Sequence, residues 1–336
     1  MPGGKSGVER LSNLQPGEIA DFFAQLCERT RGQTRDGKPF FICRFRDSRR
    51  TATAMIWQDS SWFDACLNEW REGQCFKLRA GYGEHERYGP QLDIQQIRFV
   101  RPGDEEQGFD PWEYLPTSRF KPDAIFAELR DLASVEIAHE PLRRLVVGLL
   151  DTNKARLLTL PATPRHYHPF VGGWLEHTLT VTRHCLFLAD RYRQHYPELT
   201  PPLNRDLLVA GAVLHEIGRV AEWDEQFPPQ PTVDGRLLGH IFLGRDMVRE
   251  AARSITDLDA EWLRLLEHLI VTHLNLPEWG SPRLPAIPES LILHHADDLD
   301  AKMEMYVRCL TRDAADGPWT ERDPILNRQL WKGRRV

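Results

Sequence analysis

The residues of this chain best suited to chemistry are histidines and carboxylates in its second half. His177 (in GGWLEHT), His215 (AVLHEIG), His240 (LLGHIF), His273 (VTHLN) and Asp297 (HHADDLD) are separated by whole helical stretches. Each lies at or near a helix end or a polar break, and Glu216 directly follows His215. Imidazole with carboxylate suits Mn²⁺, Fe²⁺, Zn²⁺ or Ni²⁺, and helical bundles assemble such sites from facing helices. A neighbouring His-carboxylate pair supplies two ligands to one centre, and the carboxylate can bridge two. A cation held in this way activates water near neutral pH and neutralises charge building on a phosphate. Taken singly, a histidine at a helix end is more often a cap or a core residue; the ordered set is the signal. His139, His184, His195 and His268 fall in that structural class, and Asp298 and Asp300 read as solvated helix charges.

The elements that must position these residues are helical. From Pro122 onward, DAIFAELRDLASV, PLRRLVVGLLD, EHTLTVTRHCLFLADRY, RDLLVAGAVLHEIGRV, HIFLGRDMVREAARSI, EWLRLLEHLIVTHL and ESLILHHADDLDAKMEMYVRCL place apolar residues at steps of three and four. The first hundred residues are different. Lys38 to Phe45, Thr51 to Trp57, Gln74 to Ala80 and Gln91 to Val100 read as short strands, with Gly81, Gly83, Gly89 and Pro90 breaking the chain between the last two. A helix-like insert spans Ser61 to Arg71. Four or five strands with one insert predict a small barrel, and an OB-fold is the economical choice. Arg101 to Lys121, rich in breakers, reads as a linker.

The bulk numbers are those of a globular protein. The chain has 336 residues, 41% hydrophobic and 27% charged, enough for two domains. A formal net charge of −6 excludes a global basic field, so nucleic-acid binding needs a local groove. The six scattered cysteines form no CxxC pair, which argues against a cysteine zinc knuckle and for small buried thiols in a reducing compartment. No apolar run has signal-peptide or membrane-spanning character, so the expected location is cytoplasmic, with no membrane partner.

The ordered motifs resemble the HD superfamily of metal-dependent phosphohydrolases, with its His…His-Asp…Asp pattern. More closely, the chain resembles the YhaM family of 3′→5′ exoribonucleases, an OB domain followed by an HD domain. The segments that carry this are GKPFFICRF, PATPRHYHPFVGGWLEHT, RDLLVAGAVLHEIGRVAE, GRLLGHI, LIVTHLNLPEWGSP and ILHHADDLDAKM, within residues 14 to 325. The resemblance makes His177 the first metal ligand, His215 the motif histidine and Asp297 the last carboxylate ligand. It puts His240 and His273 where binuclear members hold a second metal. It places His168 near the site entrance, in contact with nucleic acid, and Lys302 against a phosphate. A homo-oligomer is also implied. Two departures stand out. Glu216 replaces the family aspartate and is one methylene longer, and His273-Leu274-Asn275 replaces His-His-Gly.

The expected architecture is multidomain α+β. Its parts are a flexible N-terminus (1–13), an OB-fold β-barrel (14–100), a linker (101–121), an all-α HD-domain helical bundle (122–325) and a C-terminal tail (326–336). The expected activity is metal-dependent 3′→5′ exonuclease action on single-stranded RNA or DNA, releasing nucleoside 5′-monophosphates. The cofactor would be one or two divalent ions, with Mn first and Fe, Ni, Co or Zn as alternatives. Catalysis would rest on His215, Glu216 and Lys302, with His177, His215, Glu216, His240, His273 and Asp297 as ligands. On the barrel, Phe40, Arg44, Trp57, Tyr82, Arg87 and Tyr88 are the candidates for touching a single strand, by aromatic stacking and basic contacts. Phe41 and Arg98, with Arg31, Arg35 and Lys38 near the first strands, complete the list; one of Phe40 and Phe41 must face inward if the strand alternates. Two other readings fit the same residues: a nucleic-acid-binding accessory protein with a weakened site, and an HD phosphohydrolase of small nucleotides.

Overall fold

The computed structural model describes residues 8–333, apart from 35, 48, 86–87, 111–113, 115–116, 225–228 and 314. The chain divides into two compact units, Met1–Pro116 and Thr117–Val336.

In the first unit, β2 (Ile19–Gln33), β3 (Pro39–Arg46), β4 (Thr51–Trp57), β5 (Cys75–His85) and β6 (Gly89–Phe99) pair in the order β2-β3-β4-β6-β5, and β5 closes back onto β2. The β4–β6 pairing is parallel and the others of the barrel are antiparallel. A short helix, α1 (Phe63–Asn68), follows the third barrel strand. This is OB-fold order. Alternation decides the interior: Phe41, Cys43 and Phe45 of β3 and Phe76, Leu78, Ala80 and Tyr82 of β5 are buried. The long strand β2 escapes a period-two reading because both of its faces are covered. Phe22 enters the barrel core, whereas Phe23 packs outside it under Phe109 and Tyr114. β5 runs on through Gly81 and Gly83 to His85, so these glycines do not end the strand.

Several expected boundaries differ. Residues 8–13 are not a loose terminus: β1 (Val8–Arg10) pairs parallel to β2, and Leu11 is fully buried. Of the stretch expected as a linker, Phe109 and Tyr114 pack against Phe23 on the barrel, and residues 117–121 belong to the second unit. Phe109 lies 5.1 Å from Phe23 and 5.5 Å from Tyr114 between ring centroids, and Asp104 holds Arg98 at 2.7 Å. Within 326–336, the described residues fold back too: Leu330 is buried, and Lys332 meets Asp313 at 2.5 Å.

The second unit is helical, with α2 (Pro122–Glu136), α3 (Glu140–Thr152), α4 (Lys154–Leu157), α5 (Gly173–His195), α6 (Arg205–Leu214), α7 (Arg219–Glu222), α8 (Val233–Leu237), α9 (Gly239–Ala252), α10 (Ala260–Thr272) and α11 (Pro288–Arg312). Asn204, Thr232 and Asp259 cap α6, α8 and α10 by accepting from backbone N–H groups. The core is one cluster drawn from α2, α3, α5, α6, α9, α10 and α11, with α6 buried from Leu207 to Leu214. No described helix is long and apolar enough to cross a membrane.

Replacing Phe109 with alanine should lower unfolding free energy by about 3 kcal/mol in urea titration, the cost of emptying an aromatic site. A linker residue would cost less than about 0.5 kcal/mol.

Candidate metal centre

The ligand-type side chains come from helix ends that meet in the core of the second unit. His215 follows the last residue of α6, and His273 follows the last residue of α10. Helix C-termini leave carbonyls without intrahelical partners. His215 Nδ1 donates to Ala212 O at 2.8 Å and His273 Nδ1 to Ile270 O at 2.7 Å. A carbonyl only accepts, so each neutral ring carries its proton on Nδ1 and turns the Nε2 lone pair inward. His177, in the first turns of α5, is fixed by a carboxylate: its Nδ1 lies 2.7 Å from Asp300 Oδ2. His240, at the start of α9, faces Glu222 Oε1 through Nδ1 at 3.6 Å.

Two glycines make these approaches possible. A Cβ on Gly218 would stand 1.9 Å from His240 O, and one on Gly173 would stand 2.1 Å from His168 O. The motifs HEIG and VGGW therefore need glycine so that the neighbouring backbone can close in.

The inward atoms gather tightly. His177 Nε2 is 3.4 Å from His215 Nε2 and 3.2 Å from Asp297 Oδ1, and His215 Nε2 is 3.9 Å from the same oxygen. One ligand atom each from His177, His215 and Glu216 lie within 4.8 Å of one another, and so do those of Glu216, His240 and His273. Glu216 belongs to both groups, so its extra methylene leaves the carboxylate in reach of each. Its Oε1 accepts from the Tyr167 hydroxyl at 2.7 Å and from Arg219 at 3.0 Å. Glu216 Oε2, His240 Nε2 and His273 Nε2 are buried without a hydrogen-bond partner. Buried polar atoms left unpaired are costly, and an oxygen-and-nitrogen set aimed at a common point fits a divalent cation. The residues present are able to hold a metal.

Electrostatics agree. Burial lowers the pKa of His215, and lowers that of His273 to about 4, so both rings are neutral, the ligating form. Burial opposes charge on Glu216, but Arg219, His177 and His240 prevail and keep it ionised. Burial also opposes charge on His177, yet hydrogen bonds to Asp297 and Asp300 push its pKa up to about 10.

Several expected positions differ. Asp300 is not a solvated helix charge. It is buried, one turn beyond Asp297 on α11, and its Oδ2 holds both His177 Nδ1 and His168 Nε2, the latter at 2.9 Å. His168 is correspondingly buried behind Asp300 rather than open at an entrance. Lys302 is exposed and 2.7 Å from Asp298. Leu274 offers no donor atom. Asn275 takes a left-handed backbone (φ 68°), a conformation in which asparagine is enriched among side-chain-bearing residues. Tyr167, Arg219 and Glu222 had no role assigned from sequence. Their signals were available: Tyr167 sits inside RHYHPF, and Arg219 lies three residues after Glu216.

On the barrel, Phe40 and Trp57 are register partners on the outer face of β3 and β4, with ring centroids 5.3 Å apart. Gly32 on β2 leaves room for the Phe40 ring, which would lie 2.5 Å from a Cβ there. Arg44 shares that face and pairs with Glu28 at 3.0 Å. Tyr88, in the β5–β6 loop, is 64% exposed. Tyr82 is not part of this surface. It is 2% exposed because position 82 falls in the inward phase of β5, and its hydroxyl donates to Glu84 at 2.7 Å. Arg87 and Arg35 lie outside the described residues.

Removing the Asp300 carboxylate frees the His177 and His168 rings. Asp300→Asn should weaken Mn²⁺ affinity roughly 10- to 100-fold in competition titrations, while circular dichroism stays near wild type. Since His177 is protonated below pH 10 without metal, and ligation needs its free base, Mn²⁺ binding at pH 7.5 should release about one proton. Calorimetry in buffers of different ionisation enthalpy reads that number, which should fall as pH rises through 10.

Residues 174–302 match the HD domain family. The 3′-5′ exoribonuclease YhaM of Bacillus subtilis (strain 168) is 31% identical over 319 residues, covering 94% of this chain and 95% of its own length. The proteins of the same name from Bacillus licheniformis and Bacillus velezensis match at 31% identity over the same shares. With identity sustained across both units, and the HD match spanning His177, the His215-Glu216 pair and Asp297, the chain belongs to the YhaM family of 3′-5′ exoribonucleases.

Proposed function

We propose that this protein is a metal-dependent hydrolytic nuclease that shortens single-stranded RNA, and DNA of the same form, from the 3′ end and releases nucleoside 5′-monophosphates. The observation that carries this reading is the shared carboxylate. Glu216 stands in both groups of inward-facing ligand atoms, an arrangement suited to one cation or to a bridged pair. His177, His215, Glu216 and Asp297 would hold the first ion, and Glu216, His240 and His273 the second. Mn²⁺ suits this nitrogen-and-oxygen set, which also accepts Fe²⁺, Ni²⁺, Co²⁺ or Zn²⁺. When bound, the ion supplies water activation and charge neutralisation at the scissile phosphate.

The chain's own residues do the rest. Nδ1 bonds to Ala212 O, Ile270 O and Asp300 hold three imidazoles in one tautomer and orientation. Arg219 and the Tyr167 hydroxyl hold Glu216 ionised and stationary. Lys302 can exchange Asp298 for a substrate phosphate at little cost, since an exposed ion pair is worth at most about 1 kcal/mol. Phe40, Trp57 and Tyr88 offer stacking surfaces to a single strand, and Arg44 offers a cation to its backbone. This stacking tolerates any base, as a nuclease of broad sequence range requires.

Purified protein with Mn²⁺ should shorten a 5′-labelled oligonucleotide in single-nucleotide steps, and His215→Ala should reduce this to background. Equal products from the two proteins would rule the reading out, as would preferential turnover of nucleoside triphosphates or cyclic nucleotides in a substrate panel.

A further inference from the structure

The family-like segment PEWGSP, between α10 and α11, has no part in the ligand set, yet it holds an exposed tryptophan beside it. Trp279 is 53% exposed. Its position is nevertheless fixed. Pro277–Trp279 form one 3-10 turn, Trp279 N–H donates to Leu276 O at 3.0 Å, and Ser281 Oγ donates to Val271 O at 3.0 Å. Gly280 ends the turn at φ 103°, which only glycine adopts without strain. One face of the indole lies nearly parallel to the His294 ring, at 22° with centroids 5.6 Å apart. His294 is buried, and its Nδ1 bonds the backbone oxygen of His273 at 2.8 Å. His294 also lies one turn before Asp297 on α11. The indole is thus two contacts away from His273, and the His294 ring it stacks on is one helical turn from Asp297.

The indole is stacked on His294 and still half exposed, so it can take a second stacking partner. The surroundings favour a nucleic acid. Pro282 and Arg283, next in the same segment, wall a groove of about 440 Å³ that also receives Arg245 and Arg264. Glu267 is paired with Arg249 at 2.6 Å and Arg245 with Asp246 at 2.7 Å, so the cations this groove offers a phosphate are Arg264 and Arg283. Stacking on tryptophan recognises the π-face common to all bases, and the guanidinium groups suit the phosphates that follow.

We infer that Trp279 is the stacking platform for a nucleobase at the 3′ end of the substrate, positioning the terminal phosphodiester at the ligand cluster. The inference rests on the exonuclease reading for its choice of end. Trp279 is a positioning residue and takes no part in bond cleavage.

The probe is a dinucleotide with 2-aminopurine at its 3′ end and a phosphorothioate linkage. Wild-type protein should quench its fluorescence on binding, Trp279→Ala should not, and Trp279→Phe should restore most of the effect. In steady-state cleavage of short RNA with Mn²⁺, Trp279→Ala should raise KM about tenfold, the loss of one base–aromatic stack, with a far smaller change in kcat. Full quenching and an unchanged KM in Trp279→Ala would overturn the inference. So would a changed oligomeric state by light scattering with KM intact, which would make the indole a subunit contact. Quenching that follows Trp279 in a protein that cleaves no oligonucleotide would support the platform and overturn the exonuclease reading instead.

Discussion

The site depends on what the far nitrogen of each imidazole is doing. His177, His215 and His273 have Nδ1 committed to an acceptor that cannot donate, so Nε2 can only present a lone pair or an added proton to the centre. Two of these acceptors are carbonyls that a helix end leaves over, so the termination of α6 and of α10 does structural and chemical work at once. Facing lone pairs in a dry interior repel. A cation between them relieves that repulsion, which is why this nitrogen-and-oxygen set suits a metal.

That constraint propagates outward. Asp300 serves two rings with one oxygen, and its own ionised state is favoured by His168 and His177 against the cost of burial. Glu216 shares Arg219 with Glu222, whose other oxygen receives the His240 backbone N–H at 3.2 Å. Buried charges of this kind persist only when paired and hydrogen-bonded. The same packing explains the glycines, since Gly173 and Gly218 let backbone oxygens approach closer than any side chain would allow.

The barrel solves a different problem. Its strands bury one phase of each alternation, which leaves Phe40, Trp57 and Arg44 on a common outer face. The segment after β6 covers the opposite, apolar phase of β2, where Phe23 would otherwise be bare.

Much of this was written into the chain. The period-three and period-four apolar steps, the barrel strands around Phe41 and Phe76, and the order of His177, His215, Glu216, His240, His273 and Asp297 are legible as residue types at given spacings. Family likeness added which of them gather. The rest depended on neighbours remote in sequence. Asp300 reads as a surface charge until His177, 123 residues away, is placed against it. Tyr82 resembles a stacking surface until the phase of β5 turns it inward, and residues 101–121 resemble a linker until Phe109 and Tyr114 are found to cover Phe23. A sequence states what each side chain can do; burial, which sets the strength of every charge and hydrogen bond, exists only once the chain has closed around it.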